Sequence, residues 1–236
     1  MADELGSILT ELKRLNAILE ARLPAPQGTA ELPEGMAFRW MGEGSQRPFS
    51  VIESPQASRL DDLIGIDHQK DTLNRNTRQF IEGFPANNVL LWGSRGTGKS
   101  SLIRALLHEY APKGLRIIEV SRANLRDLPA IQAAIRGRCE RFIVYCDDLA
   151  FEADEQDYKA LKAILEGALE GQSENLLIYA TSNRRHLVPE HHAENQAARW
   201  VNDELHQAES VEEKLSLSER FGIWLSFIPF NQDQYL

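Results

Sequence analysis

Residues 93–100, GSRGTGKS, constrain this 236-residue chain more than any other segment. They follow an apolar run at 88–92, NVLLW, and precede a stretch with helical character at 101–110, SLIRALLHEY. The pattern G-x-x-x-x-G-K-S between a strand and a helix is typical of a phosphate-binding loop. Its glycines let the backbone turn tightly and bring N–H groups against phosphate oxygens, and the helix adds a favourable dipole. The alternative, a glycine-rich turn with a chance Lys-Ser pair, is disfavoured by this context.

The residue types in this loop predict a nucleoside triphosphate bound together with Mg²⁺. Lys99 is expected to meet the β- and γ-phosphates, and the Ser100 hydroxyl to bind the magnesium ion that bridges them. The predicted nucleotide contacts in the loop are Gly93, Ser94, Arg95, Gly96, Thr97, Gly98, Lys99, Ser100 and Ser101.

The remaining chain alternates short apolar runs with helical patterns, which predicts an α/β fold with a parallel sheet between helices. We expect a P-loop fold with five strands, near 88–92, 115–120, 141–146, 176–181 and 223–227. Helices are expected near 99–110, 125–138, 155–170 and 211–219.

Two of these strands end in polar residues at the edge where such folds bind ligands. RFIVYCDD at 141–148 ends in Asp147, the expected holder of magnesium, and Asp148, expected to orient or deprotonate the attacking water. LLIYATSN at 176–183 ends in Asn183, which is expected to hydrogen-bond the γ-phosphate or that water. Taken alone, the two acids also suit a helix N-cap, and Asn183 also suits a turn.

Composition favours an ordinary globular protein, with 42% hydrophobic and 26% charged residues. The formal net charge of −9 opposes non-specific attraction to nucleic acid or anionic lipid. Cys139 and Cys146 lie in or beside an apolar run, which suits reduced thiols better than a disulfide framework. No window approaches the roughly 20 apolar residues of a membrane span, and no signal peptide is visible, so we expect a cytoplasmic protein without a membrane partner.

The amino-terminal part has a different character. Apolar residues at spacings of three and four over 4–23 predict a helix with one apolar stripe, which docks either on its own domain or on a partner. The Pro- and Gly-rich run at 23–35 reads as a linker. The expected organisation is therefore a helix and linker over 1–35, a nucleotide-binding domain over 36–228, and the start of a further segment over 229–236.

Together these segments resemble the AAA+ ATPases, and from residue 36 to the end the chain resembles a bacterial family of AAA+ ATPases of undefined role. In that superfamily Asn183 matches the polar residue called sensor 1. LSLSERFG at 215–222 resembles the arginine-finger segment, with Arg220 as the finger. DDLIGIDHQKDTL at 61–73 resembles the segment over the adenine, which implies base contacts from Leu63, Ile64 and Gly65. An arginine finger in trans implies a homo-oligomer, either a ring or a head-to-tail assembly.

The chain also departs from the AAA+ pattern. It ends at NQDQYL, where a helical lid usually begins, and Asp148 replaces the glutamate common in motors, with Glu152 as a reserve. The resemblance implies a missing lid, with 229–236 as the start of a lid in a sequence that is either truncated or a short variant. Hydrolysis is expected to be slow because the Asp148 side chain is one methylene shorter than glutamate. The resemblance thus implies an ATPase that remodels or loads a protein or nucleic-acid partner, or else a switch that binds ATP and hydrolyses little.

Two charged regions bear on partners and assembly. The stretch SRANLRDLP at 121–129 lacks the aromatic residue of threading motors and offers Arg122 and Arg126. With Arg116, Arg136, Arg138 and Arg141 these arginines form either one basic face or a solvated, salt-bridged surface. The acidic stretches at 152–157 and 190–213 would complement a basic face in a head-to-tail contact.

Overall fold

A computed structural model describes residues 32–55, 58–149, 161–162, 165, 174–183 and 220–228, with the backbone of 199–201 and 204–206. The chain divides into two compact units, Met1–Glu31 and Leu32–Leu236. The first unit, with the predicted helix at 4–23, lies outside the described residues. So do Glu152, the predicted helix at 211–219, most of the predicted helix at 155–170, and nearly all of both acidic stretches.

The strands and helices of the second unit alternate along the chain. The strands are β1 Ala37–Trp40, β2 Phe49–Val51, β3 Val89–Gly93, β4 Leu115–Glu119, β5 Arg141–Cys146, β6 Leu176–Ser182, β7 Arg199–Val201, β8 Glu204–His206 and β9 Ile223–Phe227. The α-helices are α1 Asp67–Ile81, α2 Lys99–Tyr110 and α3 Leu128–Ile135, and short 3-10 helices cover Leu60–Asp62, Ala111–Lys113 and Arg122–Asp127.

Seven of these strands form one sheet, in the order β2-β1-β4-β5-β6-β3-β9, and β7 pairs with β8 separately. Every neighbouring pair in the large sheet is parallel except β1 with β2. The five predicted strands form its contiguous part from β4 to β9. The prediction of a five-stranded sheet was two strands short, because β1 and β2 have only four and three residues and show too little alternation to stand out.

The helix expected at 125–138 is split in two. A 3-10 helix covers Arg122–Asp127, and α3 follows it with Pro129 in its first turn. Proline has no N–H and clashes inside a helix, but its fixed φ suits the first turn, so a new α-helix begins at this point.

One face of the sheet packs against α1 and α2. Leu73 and Phe80 of α1 and Leu102 of α2 join the inward residues Val89 and Leu91 of β3 in a single buried cluster. Leu90, between them, is also buried but points to the opposite face. Both faces of β3 are therefore covered, and α2 is fixed where it begins, directly after the loop that ends β3.

Gly93 ends β3 at a point where no side chain fits. It pairs with Phe227 of β9, and a Cβ at Gly93 would lie 2.0 Å from the Phe227 carbonyl oxygen. The backbone of β9 leaves no room to relax, since that oxygen belongs to a paired strand. The glycine at the start of the loop is thus required by strand packing.

We expect Gly93→Ala to destabilise the fold by about 3 kcal/mol or more, because the new methyl group must push β9 away from β3. Gly114→Ala is the matched control, since Gly114 has φ +96 but open space around its Cβ position. That control should cost only about 1 kcal/mol, the strain of a left-handed alanine. Urea denaturation measures both changes, and equal losses would contradict the steric argument.

Candidate functional site

The loop after β3 and the ends of β5 and β6 meet at one edge of the sheet. β6 lies between β5 and β3, and parallel pairing brings the three carboxyl ends together. They enclose a cavity of about 420 Å³ lined by residues 95–101, Asp147, Asp148, Thr181 and Asn183. The sequence-predicted loop residues from Arg95 onward, both aspartates and Asn183 therefore share one cavity.

Two glycines shape the loop. Gly96 and Gly98 have φ values of +78 and +92, a left-handed backbone that glycine adopts without strain. A Cβ at Gly96 would meet no atom within 4 Å, so the loop leaves open space beside its backbone. The Thr97 hydroxyl donates to the Ser94 carbonyl at 2.8 Å and closes the turn. The loop is thus preformed around an open cradle, directly before the first turn of α2.

The Lys99 side chain folds back onto this loop. Its ammonium donates to the carbonyl oxygens of Gly93 and Ser94, both at 2.7 Å, and the residue is only 7% exposed. Burial lowers the pKa of Lys99, and the nearby carboxylates of Asp147 and Asp148 oppose this only in part. The loop therefore holds one cation at its base. Gly93 and Ser94 supply those carbonyls and do not line the cavity.

Hydroxyl groups surround Asp147. Thr181 donates a short hydrogen bond to its Oδ1, and the Ser100 hydroxyl donates to the same atom at 3.2 Å. Burial alone would raise the pKa of Asp147, but the facing hydroxyls of Thr181, Tyr145 and Ser100 outweigh it, and the pKa lies below its ordinary value. Asp147 is thus an ionised carboxylate at neutral pH, next to the first turn of α2.

Asp148 has an unusual backbone and two side-chain contacts. Among the described residues it is the one non-glycine with positive φ, at 54°, and its N–H donates to the Thr181 hydroxyl at 3.0 Å. Asn183 donates to its Oδ1 at 2.5 Å, and Arg95 pairs with its Oδ2 at 3.0 Å. The side chains of Arg95 and Asp148 are 82% and 52% exposed, so this ion pair contributes only about 0–1 kcal/mol.

The predicted adenine contacts do not line the cavity. Leu63 packs against the buried core, and its carbonyl accepts a hydrogen bond from Lys70 at 3.3 Å, whereas Ile64 is 82% exposed. Ile66, which follows Gly65, has its side chain 3.6 Å from the Cβ position of Gly98. The segment therefore passes beside the loop, and base contacts from Leu63, Ile64 and Gly65 stay a prediction.

Arg220 lies at the opposite edge of the sheet. It is exposed and precedes β9, which runs parallel to β3, whereas the phosphate loop follows the carboxyl end of β3. A five-residue strand, about 15 Å long, separates the two edges. Arg220 is therefore remote from the cavity of its own chain.

The predicted basic face is not formed as one surface. Arg116 and Arg141 are at the amino-terminal ends of β4 and β5, and Arg136 and Arg138 lie in the turn before β5. Arg122 and Arg126 follow β4, at the carboxyl edge. In a parallel sheet the amino-terminal strand ends lie at one edge and the carboxyl-terminal ends at the other. Arginines that are close in sequence are therefore divided between opposite edges. Arg138 also pairs with Glu140 at 2.8 Å.

Sequence reasoning missed Thr181 and Tyr145. Each lies two residues before a predicted site residue on the same strand or its extension, Thr181 before Asn183 and Tyr145 before Asp147. Side chains two apart in a strand point to the same face, so this alternation was the available signal. Both strands are so rich in apolar residues that this alternation did not stand out.

The oxygen atoms of Ser100 and Asp147 can hold Mg²⁺ only if phosphate oxygens also bind the ion. Ser100 and Asp147 offer oxygen ligands, the type that Mg²⁺ prefers, but the ion demands six ligands in octahedral geometry. No group of three or more His, Cys, Asp or Glu side chains suited to a metal occurs in the described part of the chain. A cation at this edge would therefore need water and phosphate oxygens to complete its coordination.

Solved structures of two proteins, DnaI and ORC1, share this fold. A DnaI crystal structure is 19% identical, with a TM-score of 0.50, and covers 84% of this chain and 97% of its own. The ORC1 protein of Aeropyrum pernix in complex with DNA is 14% identical, with a TM-score of 0.51, over 72% of this chain and 47% of its own. The Thermotoga maritima RuvB Holliday junction branch migration motor is 17% identical, with a TM-score of 0.45, over 77% and 51%. This chain spans about half the length of the RuvB and ORC1 chains. No curated protein matches it.

The strand order, the glycine loop that begins α2 and the acidic end of β5 define an α/β fold of the AAA+ P-loop type. Within that class, the chain belongs to the family described as "Protein of unknown function (DUF815)", which matches residues 33–236. The expected membership of a family of undefined role is thus confirmed, and the DnaI and ORC1 structures confirm the expected fold. None of the described helices is both long and apolar enough to cross a bilayer.

We expect Thr181→Val to destabilise the protein by about 1–3 kcal/mol at pH 7, because it removes a buried hydroxyl that bonds both aspartates. The pKa of Asp147 is lowered in the folded protein, so its ionised carboxylate adds to the free energy of unfolding above the unfolded pKa near 3.8. This stabilisation is lost as the pH falls through the lower pKa of the folded state. The deficit of the variant should therefore be full above about pH 5 and shrink in more acidic solution.

Thr77→Val is the control for that series. Thr77 is also fully buried, but its hydroxyl bonds the Leu73 carbonyl and the Tyr179 hydroxyl, neither of which titrates in acid. Its deficit, measured by urea denaturation across the same pH range, should stay constant. A Thr181→Val deficit that is equally constant would contradict the role of Asp147.

Proposed function

We propose that this chain is an ATPase module that binds ATP with Mg²⁺ in the cavity at the carboxyl edge and uses hydrolysis to remodel or load a macromolecular partner. The observation that carries this proposal is the meeting of the glycine loop, Lys99, Asp147 and Asn183 around one cavity of about 420 Å³. In this proposal residues 36–228 form the nucleotide-binding domain, and 1–35 and 229–236 are attached segments.

The phosphates would bind at the loop. The left-handed glycines leave the backbone beside the cradle open, and α2 begins there, so backbone N–H groups and the helix dipole favour an anion. The Lys99 ammonium is held by two carbonyl oxygens at its base. Phosphate oxygens carry more negative charge than carbonyls, so a bound triphosphate would compete well for this ammonium.

Ser100 and Asp147 would hold the magnesium ion. Bound there with nucleotide, the ion would neutralise negative charge on the β- and γ-phosphates. The protein prepares for this by keeping Asp147 ionised, through the hydroxyls of Thr181 and Ser100. The fit rests on oxygen donors at the start of α2 and the end of β5.

Asp148 and Asn183 would orient the attacking water molecule. Asn183 already contacts Asp148 at 2.5 Å, so the pair can orient one water molecule from both an amide and a carboxylate. The ion pair with Arg95 must first open, which costs little because both side chains are largely exposed. Arg95 would then be available to the phosphates.

Arg220 would act on the nucleotide of a neighbouring copy. Its position at the edge opposite the cavity supports a role in trans, since the finger of one subunit can face the loop of the next only in a head-to-tail contact. Such a guanidinium stabilises the charge that develops on the transferred phosphoryl group. Turnover should therefore depend on assembly.

A second candidate function is a switch that binds ATP and hydrolyses little. The observation that favours it is the engagement of both Asp148 carboxylate oxygens, one by Arg95 and the other by Asn183. Sustained phosphate release with Mg²⁺ and ATP would support the ATPase, whereas binding with release at the level of an Asp148→Asn control would support the switch.

The proposed partner is a protein or a nucleic acid. The similarly folded ORC1 structure contains DNA, which makes nucleic acid a fitting first choice to test. The net charge of −9 requires any such contact to be local. A cytoplasmic location suits the free thiols Cys139 and Cys146.

We expect Lys99→Ala to weaken ATP binding by about 10- to 100-fold, since it removes charge-assisted hydrogen bonds to phosphate. Asp148→Asn should keep ATP affinity and lose about 10²- to 10⁴-fold in turnover. Lys113→Ala, an exposed lysine over the Tyr110 ring, serves as control and should change neither. Calorimetry and phosphate release provide the two readouts, and full turnover in Asp148→Asn would remove that residue from its role.

Mixing two inactive variants tests the finger in trans. Arg220→Ala subunits keep an intact cavity, and Lys99→Ala subunits keep an intact finger. We expect little phosphate release from either variant alone and a clear recovery in the mixture, where an intact finger meets an intact cavity. A mixture no more active than the sum of its parts, under conditions where the wild-type protein assembles, would contradict the proposed contact.

A further inference from the structure

Tyr145 is a buried tyrosine whose hydroxyl has no hydrogen-bond partner. It lies on β5 two residues before Asp147 and is 6% exposed, with its ring in the core cluster beneath α1 and α2. Among the side chains that the structure describes, its hydroxyl is the one buried polar atom without a partner. The hydroxyl is therefore an exception that packing alone does not explain.

The Tyr145 hydroxyl lies near the proposed magnesium ligands Ser100 and Asp147. Burial raises the pKa of Tyr145, and Ser100, Asp147 and Thr181 all lie near enough to influence it further. The influence is mutual, since the Tyr145 hydroxyl helps to lower the pKa of Asp147. Yet no hydrogen bond with normal geometry joins them in this arrangement.

A buried hydroxyl without a well-formed hydrogen bond destabilises a fold, because it has lost water and its weak interaction with Asp147 regains only part of that energy. Phenylalanine would fill the same space in the core without that cost. The hydroxyl is thus explained if it gains its hydrogen bond in another state of the site. Asp147 is the nearby group whose carboxylate can accept such a bond.

Tyr179 shows the ordinary arrangement. It is the direct neighbour of Tyr145 in the register of β5 and β6, belongs to the same core cluster and is fully buried. Its hydroxyl bonds Thr77 at 2.9 Å and accepts from Asn76 at 3.0 Å. Two tyrosines in matched positions therefore differ in one respect, the pairing of their hydroxyls.

We propose that Tyr145 is a positioning residue for magnesium, whose hydroxyl donates to the Asp147 carboxylate when nucleotide and Mg²⁺ occupy the cavity. This inference rests on the proposed function and names a further residue of the same site. Tyr145 acts through Asp147, as the outer hydrogen-bond partners of metal ligands do when they fix the orientation of a ligand.

The test compares Tyr145→Phe with Tyr179→Phe in the full chain. Binding of a non-hydrolysable ATP analogue is measured without Mg²⁺ and over a series of Mg²⁺ concentrations, and the urea midpoint is measured without ligand. Tyr145→Phe should keep or raise the urea midpoint, keep analogue affinity without Mg²⁺, and raise the half-saturating Mg²⁺ concentration about tenfold. Tyr179→Phe should lower the urea midpoint and leave the Mg²⁺ dependence unchanged.

Two results would overturn the inference. One is a Mg²⁺ dependence of Tyr145→Phe equal to that of the wild-type protein, and the other is a urea midpoint lowered as far as in Tyr179→Phe, which would show a paired structural hydroxyl. Failure of the proposed function looks different, because the wild-type protein itself would then bind no analogue with or without Mg²⁺.

Discussion

Parallel pairing of β5, β6 and β3 is the constraint on which the rest of the site depends. β5 contributes Asp147 and Asp148, β6 contributes Thr181 and Asn183, and β3 contributes the loop that follows it. The shared strand direction brings all of them to one edge. The same pairing sends Arg220 to the other edge, because β9 also runs parallel to β3. One arrangement of strands thus separates the cavity from the residue proposed to act on a neighbour.

The charged side chains at the cavity are held by hydrogen bonds within the protein itself. Lys99 is held by carbonyls, Asp147 by hydroxyls, and Asp148 by an amide and a guanidinium. These contacts differ in burial: those of Lys99 and the bond between Thr181 and Asp147 are buried or partly buried, whereas the Arg95 pair is exposed and weak. The Arg95–Asp148 pair therefore separates at little cost, whereas Lys99 leaves its carbonyls only in exchange for phosphate oxygens.

The sequence was sufficient for the central features because they depend on local patterns. The loop at 93–100, the five core strands and the acidic end of β5 follow from glycine spacing and apolar runs, and all are present. The short strands β1 and β2 escaped prediction because three or four residues carry too little periodicity. Gly93 was assigned to phosphate contact, and its packing against Phe227 depends on a strand more than 130 residues away, which no local pattern reveals. Thr181 matters through its bonds to Asp147 and Asp148 beyond the neighbouring strand. For Thr181 and for Tyr145 the sequence offered only their spacing of two residues from a predicted site residue.

A crystal structure with a non-hydrolysable ATP analogue and Mg²⁺ tests the central claim most directly. The account expects the phosphates in the open cradle beside Gly96, with the Lys99 ammonium moved from the Gly93 and Ser94 carbonyls to phosphate oxygens. We also expect the Mg²⁺ ion to lie near the Ser100 hydroxyl and the Asp147 carboxylate. An analogue bound elsewhere, or a loop that keeps Lys99 on its own carbonyls while the cradle stays empty, would contradict it.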